Sequence, residues 1–283
     1  MPPIVVAMKD LSVVKSNDIV DASYRLSLNE QRLILMCIAQ IKKGQSIDDK
    51  QQFIVNAHEF ANTFNMALTN AYRDLQMVAD KLYDRSVTIN NPDPNNPKLE
   101  QTKTRWINSI GYIPGDGELM ITFAGPIIPY ISMLEGRFTR YSIYSISDMN
   151  STYGMRFYEL MQKWKSESGI EKNKKEVKLA DLKSQLDLDT KYKSIKDFKK
   201  YVLEPALKDI NTYSDIKASY TQRKTGRRVS HLIFHFRNDE QLKMPLNNGK
   251  SKPPKITKAY IEQHANPGES YAQATQRLSQ TRR

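Results

Sequence analysis

One order of elements, met twice along the chain, constrains the fold more than any other feature. The first passage opens at "YRLSLNEQRLILMCIAQIKK", residues 24–43. Ser27 and Glu30 form the S-x-x-E signature of a capped helix start, and the apolar run behind them predicts a buried helix of about four turns. A polar turn leads to the strand "FIVNA" (53–57), the short helix "AHEFANTFN" (57–65), the turn "MALT" and the longer helix "NAYRDLQMVADKLYD" (70–84). Ala71, Leu75, Val78 and Leu82 recur at helical spacing on one face of that last helix. The strands "SVTI" (86–89) and "TRWINSIGYI" (104–113) follow, then a "PGDG" hairpin turn and "LMITF" (119–123).

The second passage opens at "YSISDMNSTYGMRFYELMQKWKS", residues 144–166. Tyr144 to Ser147 repeats the spacing of Tyr24 to Ser27 ahead of another helix. The strand "EVKL" (176–179), the short helix "ADLKSQLDL" (180–188), a turn and the long helix "YKSIKDFKKYVLEPALKDINTYS" (192–214) come next. A hairpin closes it: "DIKASYTQ", the turn "RKTGRR" and "VSHLIFHF". Helix, strand, short helix, turn, longer helix and hairpin is the order of a winged helix-turn-helix domain. The expected fold class is therefore α+β: two tandem winged-helix domains related by internal duplication, with a flexible C-terminal tail. Shorter repeats of the solenoid kind are absent. A length of 283 residues suffices for two such cores. The expected division is an N-terminal extension at 1–12, a first domain at 13–143, a second at 144–237 and a linker-like basic tail at 238–283. The tail is rich in Pro, Asn, Gly and Lys, as in "MPLNNGKSKPPKITK".

Charge singles out the second domain. Residues 191–237 hold 12 Lys and Arg against 4 Asp and Glu, which accounts for two-thirds of the chain's net +12. Residues 1–150 are nearly neutral, with 15 against 16. A concentrated basic region is the electrostatic footprint of a polyanion partner, although a solvated lysine-rich face has the same composition. On a helical wheel, Ile195, Phe198 and Val202 cluster on one side of the 192–214 helix. Lys193, Lys196 and Lys200 lie roughly opposite, with Lys199 between. Such a helix can bury one face and present lysines to a major groove, with Ser194, Lys196 and Lys200 nearest the base edges. Around the turn Thr225-Gly226, Arg223, Lys224, Arg227 and Arg228 repel one another, so folding alone does not favour them. A wing laid along a phosphate backbone gives each a partner, and helix and wing together favour nucleic acid over a merely solvated face. In the first domain the outward residues of the longer helix are Asn70, Arg73, Gln76, Met77 and Lys81, with Asp74 and Asp80 among them. There Asn70, Arg73 and Lys81 are weaker DNA-contact candidates, and a structural or interaction role competes with them. Pro205, in the middle of the basic helix, predicts a kink from one lost hydrogen bond.

Other chemistry is not encoded in recognisable form. No G-x-x-x-x-G-K-[ST] loop supports nucleotide hydrolysis, and no H-x-H pair supports metal-dependent strand nicking. His231 and His235 share the outer face of a strand whose Leu232, Phe234 and Phe236 point inward. His58 stands alone beside Glu59, and Trp106 and Trp164 are core anchors. Cys37, the single cysteine, lies inside the apolar run as a buried thiol suited to a reducing compartment. That run, "LILMCIA", is too short to span a bilayer, and the N-terminus lacks the features of a secretory signal. The chain is thus expected to act without catalytic residues, metal, cofactor or membrane, in a reducing cytoplasm.

Several stretches together resemble the replication initiator (Rep) proteins of iteron-containing bacterial plasmids, those built from two winged-helix domains. They are "VVKSNDIVDASYRLSLNEQRLILMCI" (13–38), "YGMRFYELMQKW" (153–164), "YKSIKDFKKYVLEPALKDIN" (192–211) and "KASYTQRKTGRRVSHLIFHFR" (217–237). The resemblance implies binding to directly repeated origin sites, opening of the adjacent duplex, and recruitment of host DnaA and the replicative helicase. It also implies a homodimer through the first domain that represses its own gene at an inverted repeat. By position, the helix around Ser194, Lys196, Lys199 and Lys200 corresponds to the family's major-groove helix, and Arg223 to Arg228 to its second wing. A winged-helix repressor without a replication role and an origin-nicking enzyme are the alternatives.

Overall fold

The computed structural model describes residues 11–239, apart from 43, 91, 94, 95, 114 and 168–172, together with residue 273. The chain up to Glu240 is one compact unit, so both expected domains share it. The tail expected at 238–283 lies outside the described residues except for 238, 239 and 273.

Two short elements that the periodicity did not reveal begin the fold. Strand β1 (Ser12–Ser16) leads into α1 (Asn17–Asp21), whose first turn is capped by the Ser16 side chain accepting from the Asp18 amide. Then come β2 (Ser23–Tyr24) and α2 (Leu28–Ala39). The capping box forms as the sequence predicts: the Glu30 amide donates to Ser27 Oγ at 3.3 Å, and the Ser27 amide donates to Glu30 Oε2 at 2.6 Å. Helix α2 is buried on nearly every side, and Arg85 Nε meets the buried Glu30 carboxylate at 2.9 Å. Strand β3 (Gln52–Asn56), α3 (Ala57–Thr63) and α4 (Leu68–Leu82) follow, with Ala71, Leu75, Val78 and Leu82 buried as the spacing requires. Next are β4 (Ser86–Asn90), β5 (Gln101–Arg105), β6 (Ile107–Ile113), β7 (Glu118–Phe123) and β8 (Phe138–Ser142).

The single strand expected at 104–113 is two strands in two sheets. Strand β5 joins β2 and β4 in the order β2-β4-β5, whereas β6 joins the order β3-β7-β6. The break falls at Trp106, which is 1% exposed and packs edge-on against Tyr24 with ring centroids 4.9 Å apart. Seating that indole in the core turns the backbone out of one sheet and into the other.

In the second half, α5 (Thr152–Ser166) is followed by β9 (Lys174–Lys178) and α6 (Leu179–Gln185). Helix α5 starts later than the spacing from Tyr144 suggests. Ser151 caps it, accepting from the Gly154 amide at 3.2 Å, while Ser147 Oγ donates to the Tyr144 carbonyl in a preceding turn. The basic helix comes next as α7 (Ile195–Phe198), a π-helical turn (Lys199–Leu203) and α8 (Glu204–Tyr213). Strands β10 (Ile216–Thr225) and β11 (Arg228–Asn238) close the fold. Their sheet order, β10-β11-β9, matches β6-β7-β3: the strand before the helix pair joins the hairpin's last strand in both halves. The duplicated winged-helix order read from the sequence therefore reappears as duplicated topology, with β4 and β5 as additional strands in the first half.

A buried ionic cluster joins the two halves. Glu159 of α5 is 1% exposed and forms an ion pair with Lys15 of β1, itself 1% exposed. Arg156 Nη1 lies 3.6 Å from the other Glu159 carboxylate oxygen, and Arg156 Nη2 donates to the carbonyls of Ala22 at 3.0 Å and Gln185 at 3.2 Å. The Arg156 guanidinium also donates to the Tyr24 hydroxyl and stacks over that ring at 3.7 Å. The Tyr141 hydroxyl donates to Glu159 at 2.5 Å. Burial alone would raise the Glu159 carboxyl, but the charges of Lys15 and Arg156 and the bonds from Lys15 and Tyr141 outweigh it and hold it below the usual range.

Glu159→Gln strands two buried cations, so urea unfolding should show a loss of about 3–5 kcal/mol; a variant as stable as the parent would show that the cluster is dispensable. A depressed folded-state value contributes stability that is complete above the unfolded carboxyl value, about 4.3. That contribution is lost as pH falls through the folded value. Acid unfolding should therefore be steeper in the parent than in Glu159→Gln.

Candidate nucleic-acid interface

The basic helix is held by local chemistry at its start. Lys183 Nζ donates to the Tyr192 carbonyl at 2.7 Å, fixing the turn, and Ser194 Oγ accepts from the Lys196 amide at 3.2 Å as the helix cap. Ser194, Lys193, Lys196 and Lys200 are exposed and Lys199 is half-buried, as the wheel places them. The Lys199 ammonium lies 5.6 Å from the Tyr220 ring centre, toward the hairpin, and Lys200 lies 4.9 Å from that of Tyr201. Burial, with the Glu204 charge adding to it, raises the Tyr220 hydroxyl pKa.

No break occurs at Pro205. The helix continues from Ile195 to Tyr213 because its hydrogen-bond register slips just ahead of the proline: the Glu204 amide donates to the Lys199 carbonyl, five residues back. Proline has no amide hydrogen and its ring crowds the carbonyl four residues before it, so the wider turn sits where the ordinary bond cannot form. The slip also moves the buried face. Phe198 and Val202 are buried before it, and Leu203, Ala206, Leu207 and Ile210 at or beyond it. On an uninterrupted α-helix at 100° per residue, Leu203 and Leu207 would lie on the same side as Lys196 and Lys200. The extra residue in the π turn rotates the second half so that the leucines pack while the lysines remain outward.

Asp209 ties that second half to α5. Its carboxylate accepts from the amides of Asn150 at 2.8 Å and Ser151 at 2.5 Å. A side chain at Gly154 would meet the Asp209 Cβ at 3.1 Å, so the glycine permits the close approach of the two helices.

The hairpin reverses at Thr225–Arg228, where Gly226 has φ 61° in the first of two loop positions, a backbone that favours glycine. Thr225 Oγ1 bonds Ser230 Oγ at 2.9 Å, and Ser230 Oγ donates to the Arg223 carbonyl at 3.3 Å, stiffening the tip. Helix and hairpin enclose an open groove of about 870 Å³. Lys193, Lys196, Lys199 and Lys200 line it from the helix, and Lys224, Arg227 and Arg228 from the wing. Lys183, Gln222 and Glu204 line it too, Glu204 being the one carboxylate among its described residues. Those three were not anticipated. Period-two alternation from Lys224 points to Gln222, and the same alternation turns Arg223 away. Arg223 lies on the other sheet face, where its Nε meets Glu176 at 2.5 Å, and it is not part of the groove.

The first half presents a different surface. Asn70, Arg73, Gln76, Met77 and Lys81 are exposed on α4 as expected, but Arg73 pairs with Asp74 at 3.2 Å, which in turn accepts from Asn29 at 2.9 Å. Signs alternate there instead of accumulating. His235 is exposed, and His231 Nδ1 lies 3.0 Å from Ser230 Oγ. Among the described residues no group of three or more His, Cys, Asp or Glu could hold a metal ion, and no helix is long and apolar enough to cross a membrane. Trp106 and Trp164 sit in the core, and Cys37 is buried with its thiol pKa raised by that burial.

Comparison with known proteins bears on this geometry. Residues 12–162 match the family described as Initiator Replication protein, WH1, and residues 178–236 match Initiator Rep protein, WH2. An Escherichia coli "Replication initiation protein" is 29% identical over 237 residues, covering 83% of this chain and 72% of that one. The "PI protein" of Escherichia coli is 25% identical over 258 residues, covering 82% and 84%. A crystal structure of Pi initiator protein in complex with iteron DNA shares the fold, with a TM-score of 0.69 at 24% identity over 83% of this chain and 100% of that one.

The placement of Arg223 yields a direct test. Arg223→Ala should leave duplex affinity and its salt dependence nearly unchanged. Arg227→Ala with Arg228→Ala should lower the slope of log K against log salt by about 2. Equal effects of the two changes would contradict the assignment of Arg223 to the outer sheet face.

Proposed function

The chain belongs to the initiator replication protein family, and from that premise we propose that it initiates plasmid replication by binding directly repeated origin sites, iterons, in double-stranded DNA. The observation that carries this reading is the groove between basic helix and wing. Eight cations, from the basic helix, the wing and Lys183 of α6, face one channel with a single carboxylate among its described lining residues. Cations placed that close raise the free energy of the folded chain, and a phosphate backbone offsets it by charge pairing and counterion release.

In this proposal the second domain, at 144–237, supplies most of the affinity. Lys193, Lys196, Lys199 and Lys200 meet phosphates and base edges from the major groove, and Ser194 caps the helix at its entry. Lys224, Arg227 and Arg228 follow the backbone from the wing. Arg223 contributes only if its pairing with Glu176 opens. The first domain, at 13–143, adds weaker contacts through Asn70, Arg73 and Lys81 and carries the homodimer interface through which the protein represses its own gene. Host DnaA and the replicative helicase are its partners in origin opening, in the bacterial cytoplasm. The protein acts by binding alone, without a catalytic residue or cofactor.

Lys196→Ala with Lys200→Ala should weaken binding to origin duplex and reduce the salt slope by about 2, read by fluorescence anisotropy across a salt series. An unchanged slope would sink the proposed phosphate contacts. Site-specific nicking of a supercoiled origin plasmid in Mg²⁺ or Mn²⁺ would instead favour an enzyme. Failure to support an origin-bearing plasmid in trans would favour a plain repressor.

A further inference from the structure

The β1–β8 ribbon offers a second surface, unrelated to the basic groove. Its strands pair antiparallel with Val14 opposite Arg140 and Ser16 opposite Phe138. Alternate residues face opposite ways. Val13 and Tyr141 are buried, whereas Val14, Phe138 and Arg140 lie on the outer face and at least partly exposed. That face forms one wall of an apolar groove of about 290 Å³ whose other side is the C-terminal end of α2 and the segment around Ile131–Leu134. Val14, Ile38, Ile131 and Phe138 make it apolar. Met133, also in its lining, is 53% exposed and has φ 53°.

Charge indicates what covers this groove. Lys42 and Arg140 line it, both exposed and neither in an ion pair among the described residues. No described lining residue is acidic. A symmetric contact between two copies would use the same patch twice and set no acidic residue of its described lining opposite these cations. The volume is at the lower limit of small-molecule pockets, roughly 300 Å³, and suits a few side chains of an extended segment. We propose that this groove docks an acidic–apolar peptide segment of another protein, with apolar side chains between the ribbon and α2 and flanking carboxylates on Lys42 and Arg140. The surface is distinct in residues from the DNA groove, so both can be occupied in one molecule.

The test uses the full chain and two fluorescein-labelled peptides, DDLFLDE and its charge-reversed counterpart KKLFLKK, followed by anisotropy. The acidic peptide should bind, and Lys42→Glu with Arg140→Glu should weaken it at least about tenfold. That variant should gain affinity for the basic peptide, which guards against a loss caused by misfolding. Lys196→Ala with Lys200→Ala should leave acidic-peptide binding unchanged. The proposal is overturned if neither peptide binds up to about 1 mM, or if both bind alike. Loss of binding through the Lys196 and Lys200 changes alone would place the peptide in the DNA groove and also overturn it. Light scattering adds a last arm: self-association abolished by the Lys42 and Arg140 reversal would make a second copy the occupant.

Discussion

Glu159 is the residue on which the two halves of this fold converge. A carboxylate at that depth is costly to desolvate, and only close partners with good geometry repay the cost. Here they come from β1, β2, β8 and α5, with α6 drawn in because Arg156 also donates to the Gln185 carbonyl. Apolar contacts would permit a helix to slide by a fraction of a turn; a carboxylate meeting a lysine, an arginine and a tyrosine hydroxyl permits much less. Two further links lie close in sequence to the same elements: Lys163 pairs with Asp21, and Ser23 Oγ donates to the Ser184 carbonyl. The start of the first half is thereby fastened to the first two helices of the second, one of which precedes the basic helix. The frame that carries the basic groove thus begins in a buried cluster that shares no residue with the groove's lining.

The π turn at Lys199–Leu203 resolves a conflict within one helix. Its N-terminal half needs lysines outward, and its C-terminal half needs leucines inward, but in a regular α-helix the two sets fall on the same side. An inserted residue separates them, and Pro205 marks the place because its missing amide makes the regular register unavailable there. Asp209 then fixes the packed half against the start of α5, where Gly154 leaves room for it. A residue that looks like a helix breaker thus accompanies the change of register that lets one helix both present lysines and pack leucines.

Much of this was legible in the sequence, and the parts that were not have identifiable causes. Amphipathic spacing gave α4, the capping box gave the start of α2, and Gly226 between cations gave the wing. The short elements β1 and α1 escaped because five residues carry too little periodicity to separate from a loop. The single strand expected at 104–113 came from an alternation that runs on through Trp106, and only the burial of that indole against Tyr24 shows that the chain changes sheets. The π slip was visible in principle: the apolar spacing 195, 198, 202 restarts at 203 instead of continuing. The buried cluster was not. Lys15, Arg156 and Glu159 are ordinary surface types by composition, and nothing local distinguishes a charge that will be paired across 144 residues of chain from one that will face water.

The groove and the cluster also respond to salt in opposite ways, for one physical reason. Screening acts on exposed charges and barely on buried ones. Added salt therefore relieves repulsion among the exposed lysines and arginines of the groove while leaving the Glu159 cluster almost untouched. In the proposed mode of binding, the same salt that relieves this repulsion weakens the hold on a polyanion. Fold and proposed binding thus rest on separate sets of charges, one buried and paired, the other exposed. The division lets the basic surface be dense without the two halves of the chain depending on it.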